Sequence, residues 1–403
     1  MTKSATGDQP VVLGRNLDAL HGRRPEETRK DEETVSDTQD EPMALAPARI
    51  NGSQFAPPDP TTVATRSLKK RSESKTAYRA RVVESEILRE ESWLRRHCNH
   101  RKGRFAVCNN KGGSGKTALV VLIGAILSEV TRQKVVLFDN NTGSGPLHPR
   151  IAIRREDTLQ VRQLFKNLPL IRKYRKGVGM LPIGAHGLCC VASDTTAWEM
   201  EVELSLNDFA EIFDFVTDNS DYMIIDTNNF PHSIPSVAAV EAAETIVLVC
   251  KTWEEDSING IGETIERYTD GFVKKLAHMT SRSTKDVEVQ AEAIRQKVLN
   301  AIVVVMGAEP SEINMYRRRF GTSGPIICVP KDDIGMGAKE IDPEKKQIVS
   351  LPRLGRETYL ALLQVAREIV SRFPETHFDD GLSKPLVAPN IPLDELDELI
   401  RTS

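Results

Sequence analysis

The sequence lacks several features that would indicate a function class directly. Its six cysteines form no CxxC pair, so neither a zinc site nor a disulfide framework is indicated. No stretch reaches the roughly 18 apolar residues that a membrane-spanning helix needs, and the first residues contain no apolar core of signal-peptide length. The net charge of −3 does not indicate nucleic-acid binding, which would require a local basic patch. We therefore expect a protein of the reducing cytoplasm.

Large apolar residues are scarce in residues 1–78, which are rich in Pro, Ser, Thr, Asp and Glu. Such a segment buries too little apolar surface to offset the entropy lost on ordering, so a disordered N-terminal arm is expected. Residues 79–103 begin with apolar side chains at helical spacing, which predicts either a helix packed on the core or a partner-binding element. In the C-terminal tail, residues 374–403, leucines alternate with acidic side chains that anionic lipid would repel, so no membrane anchor is evident.

The central part, residues 104–373, alternates apolar strands with helical stretches. Strands that are apolar throughout indicate a mostly parallel central sheet with helices on both faces, and hence an α/β fold. The sequence ends this domain with an amphipathic helix within residues 350–373. The predicted strands lie in RFAVCNN, KVVLFDNN, GVGMLPIG, DYMIIDTNN, ETIVLVCKT, VLNAIVVVMG and GPIICVPKD.

The segment KGGSGKT follows the first predicted strand and opens a helix. The standard phosphate-loop pattern G-x-x-x-x-G-K-[ST] requires glycine where this chain has Asn110, so the loop is a variant. Its glycines let backbone N–H groups surround phosphates at the positive end of the helix. Lys116 is predicted to contact the β- and γ-phosphates of ATP, and Thr117 to bind Mg²⁺. The predicted nucleotide-binding residues of the loop are Gly112, Gly113, Ser114, Gly115, Lys116, Thr117 and Ala118.

This loop resembles the deviant Walker A box of the ParA/MinD family of P-loop ATPases, a SIMIBI-class, CbiA-like group. The family carries a signature lysine at the position of Lys111. The resemblance covers residues 104–373 and implies a P-loop NTPase fold and an ATPase that uses ATP and Mg²⁺. The other segments that resemble the family, in the same order, are KVVLFDNNTGSG, DTLQVRQLF, GVGMLPIG, DYMIIDTNN, AAVEAAETIVLVCKTWEEDSINGIGETIE and GPIICVPKDD.

The resemblance implies a role for each matched residue. Lys111 would reach the nucleotide of a second subunit in an ATP-dependent sandwich homodimer. Asp226 would hold Mg²⁺ through water, and Asp139 would organise the metal and the switch region. Pro330 and Asp332 match the turn near the adenine.

Two departures from the family pattern concern hydrolysis. The family's second switch acid, which orients the attacking water, is replaced by Asn141, whose amide cannot accept a proton. Asn228 and Asn229 replace two prolines. Lys111, Lys116, Asp139 and Asn141 thus form the predicted catalytic set, with slow or partner-dependent turnover expected.

Two basic clusters are candidates for nonspecific DNA binding, which some members of the family show. Solvated helix faces would carry the same charge, and the contacts would be weak and salt-sensitive. Tyr316 and Tyr174 could add base stacking. The clusters are Lys173, Arg175 and Lys176 in one and Arg317, Arg318 and Arg319 in the other.

The function expected from these features is that of a bacterial ATPase that partitions DNA or a plasmid, or positions a cellular complex. A stimulating or adaptor partner would act through residues 1–97, and DNA binding would associate the protein with the nucleoid. Two alternatives stay open. One is a nucleotide-binding switch with negligible hydrolysis in a secretion or conjugation system, and the other is a metabolic ATP-dependent ligase on the same fold.

Overall fold

The part of the chain described by the computed structural model includes most of the predicted ATPase domain. The predicted N-terminal arm up to residue 73 and the tail from residue 376 lie outside the described residues. The described ranges are 74–141, 147–154, 157–173, 181–194, 203–269, 272–280, 282–320, 322–332 and 349–375.

A single sheet organises this part of the chain. Its strands are β1 Gly103–Cys108, β2 Val135–Asn140, β3 Leu159–Gln160, β4 Cys189–Ala192, β5 Tyr222–Thr227, β6 Thr245–Lys251, β7 Ile302–Met306 and β8 Ile326–Val329. Their order is β3-β4-β2-β5-β1-β6-β7-β8, and all seven pairings are parallel. The predicted parallel α/β sheet is confirmed, and β1 lies inside it between β5 and β6.

Helices cover both faces of this sheet. They are α1 Lys75–His97, α2 Lys116–Thr131, α3 Leu147–Arg150, α4 Val161–Lys173, α5 Leu206–Asp218, α6 Ile234–Ala242, α7 Glu255–Thr269, α8 Phe272–Met279, α9 Thr284–Leu299, α10 Ile313–Phe320 and α11 Arg356–Ser371. One buried apolar cluster contains side chains of α4 to α10, and the other contains side chains of α1, α2, α3 and α11. None of the helices in the described part of the chain combines the length and apolar character needed to cross a bilayer.

The apolar character of the strands follows from this two-sided cover. Successive side chains of a strand point to opposite faces. In β1, Ala106 and Cys108 belong to the first cluster, while Phe105 and Val107 belong to the second. Because both faces are buried, the strand has no polar alternation, as expected for parallel sheets.

The third predicted strand, in GVGMLPIG, is not found over its described residues, 181–184. Residues 177–180 lie outside the described residues, and residues 181–184 contribute only an antiparallel bridge between Ile183 and Cys189. Ile183 is largely exposed, whereas all four residues of β4 are buried. The strand is therefore the short run Cys189–Ala192. It gives a weak sequence signal because it has only four residues and begins with two adjacent cysteines.

Helix α1 begins four residues before the predicted start at residue 79. Ser74 caps it, since its side chain accepts a hydrogen bond from the Ala77 N–H. Ile87 and Leu94 are buried in the second cluster, and the buried Glu90 accepts two hydrogen bonds from Arg367 of α11, at 2.9 and 3.0 Å. The structure thus places α1 against the core, while its binding of a partner stays a prediction.

Candidate nucleotide site

The glycine loop, residues 109–115, joins β1 to α2 at the carboxyl end of the sheet. Gly113 and Gly115 have φ angles of +75° and +98°, a region that favours glycine because residues with a Cβ are strained there. Gly115 is also the N-cap of α2, a helix of 16 residues. The loop therefore lies at the positive end of a long helix, which is a site suited to phosphate.

Asparagines fix the start of this loop. Asn109 Nδ2 donates to the carbonyl oxygens of Val249 and Ser257, at 2.8 and 2.9 Å. Asn110 Nδ2 donates to Glu263 Oε2 of α7 at 2.6 Å. A Cβ on Gly260 would clash with both asparagines, so this glycine permits the close approach of α7. The residue that breaks the standard phosphate-loop pattern, Asn110, thus joins the loop to α7.

Lys116 lies inside the loop and is buried. Its three N–H groups have three acceptors: the carbonyl oxygens of Asn109 and Lys111, both at 3.0 Å, and Asn229 Oδ1 at 2.6 Å. Burial lowers the pKa of Lys116, while the negative charge of Asp226 acts in the opposite direction. The ammonium group is held where the loop curls, which is the place predicted for contact with phosphates.

Two carboxylates lie beside Thr117. Asp139 on β2 and Asp226 on β5 are register neighbours and fully buried. Thr117 Oγ1 donates to Asp226 Oδ2 at 2.6 Å, whereas Asp226 Oδ1 has no hydrogen-bond partner among the described residues. Asp139 accepts hydrogen bonds from the backbone N–H groups of Asn141 at 3.2 Å and Leu147 at 3.4 Å.

Burial determines the protonation behaviour of this pair. It raises the pKa of Asp226 to about 6, against the hydrogen bond from Thr117 and the charges of Lys116 and Arg150. Burial and the neighbouring charge of Asp226 raise the pKa of Asp139 well above its usual range. The sequence did not single out Arg150 on α3, whose charge acts on Asp226.

The donor set fits Mg²⁺. A buried carboxylate oxygen without a partner is costly unless a cation or donor completes it. Mg²⁺ is typically bound by one or two carboxylates together with substrate phosphates and water. Asp226, the hydroxyl of Thr117 and the adjacent Asp139 supply such a set. Among the described residues there is no cluster of three or more His, Cys, Asp or Glu side chains that would suit a metal held by protein alone.

Lys111 lies on the outer side of the loop. Its Nζ is 3.4 Å from Glu263 Oε2, and both side chains are about one-third exposed. The hydrogen bond from Asn110, followed by the charge of Lys111, lowers the pKa of Glu263. Lys111 therefore rests on α7 of the same chain.

The two asparagines after β5 have different environments. Asn228 is buried, and its Oδ1 accepts hydrogen bonds from Phe230 N and Ser236 Oγ at 2.8 and 2.7 Å, next to the start of α6. Asn229 is partly exposed and contacts Lys116. The sequence places both at proline positions of the family and does not distinguish them.

The predicted adenine turn lies three strands from the loop, about 14 Å at the usual spacing of parallel strands. Pro330 O accepts a hydrogen bond from Thr358 Oγ1 at 3.4 Å, and Asp332 Oδ2 accepts one from Gly355 N at 2.6 Å.

Trp253 follows β6 and was not predicted from the sequence. Its side chain is half exposed and packs against Gly307, which follows β7. The ammonium groups of Lys251 and Lys331 lie 5.7 and 5.4 Å from its ring centre.

The basic clusters are only partly described. Arg175, Lys176, Tyr174 and the side chain of Lys173 lie outside the described residues. On α10, Arg317 and Arg318 are exposed, whereas Arg319 pairs with Glu255 and Asn259 of α7. Tyr316 is buried and stacks on Phe320, so it cannot stack on a base, contrary to our expectation.

Comparison with known proteins finds chains that are similar to this one. No protein-family model matches the chain. Over 159 residues, 39% of its length, the chain is 28% identical to the virulence plasmid ParA family protein pGP5-D of Chlamydia psittaci, and the match spans 60% of that relative.

Solved structures with a similar fold include a ParA family ATPase from Chlorobium tepidum TLS, at 13% identity and a TM-score of 0.49, over 66% of this chain and 98% of that one. Another is MinD with Mg-ADP from Pyrococcus horikoshii OT3, at 15% identity and a TM-score of 0.45, over 66% of this chain and 95% of that one. The resemblance of this chain to the ParA/MinD family of P-loop ATPases, expected from its sequence, is confirmed.

Proposed function

We propose that this protein is a Mg²⁺-dependent ATPase that binds ATP in the glycine loop and forms an ATP-dependent sandwich homodimer. The observation that carries the proposal is the position of Lys116 inside a glycine loop at a helix N-terminus, beside a buried carboxylate pair and Thr117. A bound Mg²⁺ would neutralise phosphate charge.

The inner side of the loop supports binding of phosphates. Lys116 exchanges its internal acceptors for phosphate oxygens and retains its charge, because negative ligands offset the burial that lowers its pKa. Asp226 and Thr117 hold the metal, and Asp139 holds the backbone N–H groups of Asn141 and Leu147 through hydrogen bonds. Gly112 to Ala118 surround the nucleotide, and Pro330 and Asp332 lie on the side of the base.

Dimer formation rests on Lys111. Its ion pair with Glu263 is partly exposed, and pairs of this kind contribute about 0.2–1 kcal/mol. Such a weak contact is easily exchanged for a partner's phosphates, where the lysine would act as a cation supplied in trans. The buried asparagine contacts at the base of the loop keep the backbone in place while this side chain moves.

Turnover would be slow because Asn141 cannot accept a proton from the attacking water. A partner that binds through residues 1–97 could then stimulate this slow turnover. If Asn141 abolishes hydrolysis altogether, the protein is instead a nucleotide-binding switch. The plasmid origin in the name of the curated relative favours DNA or plasmid partition over other cargoes. The exposed Arg317 and Arg318 are the described candidates for nonspecific DNA contacts in a bacterial cytoplasm.

Sedimentation of the purified protein tests this proposal. The protein is run with ADP, with ATP and with a nonhydrolysable ATP analogue, each with and without DNA. We expect dimers with the triphosphates alone and, for a partition protein, DNA binding that is lost as salt increases. A monomer under all three nucleotide conditions would contradict the sandwich dimer.

A further inference from the structure

We propose that Asn229 is the specificity-determining residue that distinguishes a nucleoside triphosphate from a diphosphate in this site. Its side-chain amide holds Lys116 when the loop is free of phosphate, and donates to the terminal phosphate when a triphosphate binds. This inference rests on the proposed function, because it requires that the loop bind nucleotide.

The contacts of Lys116 single out Asn229. Two of its three acceptors are backbone carbonyls of the loop itself, those of Asn109 and Lys111, and their positions follow from the loop conformation. The third is a side-chain oxygen, Asn229 Oδ1, at 2.6 Å. A side chain can change its partner without disturbing the loop. Among these acceptors, Asn229 is therefore the one that can respond to a ligand.

The orientation of the amide follows from chemistry. A lysine ammonium only donates hydrogen bonds, so it must face the oxygen of the amide and not its nitrogen. Asn229 Nδ2 consequently points to the other side, where a Cβ built on Gly112 would lie only 3.4 Å from it. The loop thus has an additional N–H donor beside Gly112, supplied from the segment that follows β5.

Asn229 also links two parts of the site. It lies three residues after Asp226, whose carboxylate accepts from Thr117. A shift of this segment on binding a terminal phosphate would therefore change the contacts of both Lys116 and the metal-binding carboxylate. A proline at this position has no side-chain donor or acceptor and could serve neither contact.

Asn228 provides the contrast within the same segment. It is buried, and its amide bonds Phe230 N, Ser233 Oγ and Ser236 Oγ, which keeps it away from the loop. Asn228 thus supports the turn into α6, whereas the amide of Asn229 faces Lys116 and Gly112 of the loop. The pair offers a matched control for mutation.

The test compares equilibrium binding of ADP and of a nonhydrolysable ATP analogue to the full chain, both with Mg²⁺. We expect the wild type to prefer the triphosphate, and Asn229→Ala to reduce that preference at least about tenfold, because one hydrogen bond to a charged group is lost. Asn229→Asp should weaken the triphosphate more than ADP, because a carboxylate pairs with Lys116 and repels the additional charge. Asn228→Ala should lower the Tm and leave the ratio of the two affinities unchanged.

The outcomes separate the two proposals. If the wild type binds neither nucleotide, the proposed function fails and this inference fails with it. If the wild type binds both but Asn229→Ala and Asn229→Asp keep its ratio of affinities, only the role of Asn229 is overturned. A Tm measured without nucleotide shows whether Asn229→Ala is folded, and the nearly isosteric Asn229→Asp provides the test if it is not.

Discussion

The inner and outer sides of the glycine loop differ in how firmly their lysines are held. On the inner side, Lys116 is buried with three acceptors and lies beside the buried Asp226. On the outer side, Lys111 is partly exposed and has one ion pair at 3.4 Å. Only four residues thus separate a preorganised binding group, Lys116, from Lys111, which can exchange its partner. This difference suits a site that binds its own ligand first and a neighbour's second.

The inner side should show the largest effect. Lys116→Ala removes the cation predicted to contact the phosphates, and charge-assisted hydrogen bonds contribute about 1.5–3 kcal/mol each. We therefore expect at least a hundredfold weaker binding of ATP, measured by calorimetry. Lys111→Ala is the control from the same loop and should lose much less affinity for ATP, because its cation would reach the partner's nucleotide and not its own. Equal losses in both variants would remove the distinction between the two sides.

The outer side should control assembly. Lys111→Ala is expected to bind ATP but to sediment as a monomer, because no cation then reaches the second nucleotide. The measurement is sedimentation with the nonhydrolysable analogue at saturating concentration. A variant that still forms dimers would show that Lys111 does not act across the interface.

Asn141 should limit the rate. Replacing it by Asp adds a side chain that can accept a proton, and positioned general bases contribute about 10²–10⁴-fold. We expect Asn141→Asp to raise the steady-state ATPase rate by at least tenfold, with little change in ATP affinity. An unchanged rate would remove our explanation for slow turnover.

The buried carboxylates should make the metal-free protein pH-dependent. Burial raises the pKa of Asp226 to about 6, from an ordinary value near 3.9 in the unfolded chain. Between these values the folded state binds more protons, so the free energy of unfolding should fall as pH rises through about 6. Denaturation in EDTA from pH 4.5 to pH 8 tests this. Asp226→Asn should lose part of the dependence and be more stable than the wild type at pH 8.

The smallest effect is expected at Glu263. Glu263→Gln removes the charge that holds Lys111 and keeps an oxygen that can accept from Asn110. Since a partly exposed ion pair contributes about 0.2–1 kcal/mol and each subunit exchanges one such pair, dimerisation with ATP should strengthen by no more than about fivefold per subunit. Glu266→Gln, on the same helix, is the control. Weaker dimerisation in Glu263→Gln would mean that this carboxylate supports the interface instead of competing with it.

The sequence was sufficient where local patterns are strong. Apolar strands such as β1 and β5, and the glycines before Lys116, have signals that do not depend on distant residues. The prediction failed at β4, because Cys189–Ala192 is short and its burial depends on β2 and β3 beside it. The prediction that Tyr316 stacks on a base also failed, because the three neighbouring arginines do not show that α10 packs this side chain on the core.

The site residues divide in the same way. Lys111, Lys116, Thr117, Asp139 and Asn141 stand at recognisable places in the family pattern, and their proposed roles follow from it. The contacts of Glu263 and Asn229 with the loop lysines do not follow from that pattern, because each side chain reaches the loop from another element, α7 and the segment after β5. These contacts form only when β5 and α7 come together around β1.

By itself, the sequence determined the parallel α/β sheet, the phosphate loop and the residue types at its edge, because these depend on local periodicity, backbone freedom and charge. Only the tertiary structure decided which partners those residues have. It separated Asn228 from Asn229 and placed Lys111 on Glu263, because hydrogen bonds and ion pairs depend on distances between elements that are far apart in the chain.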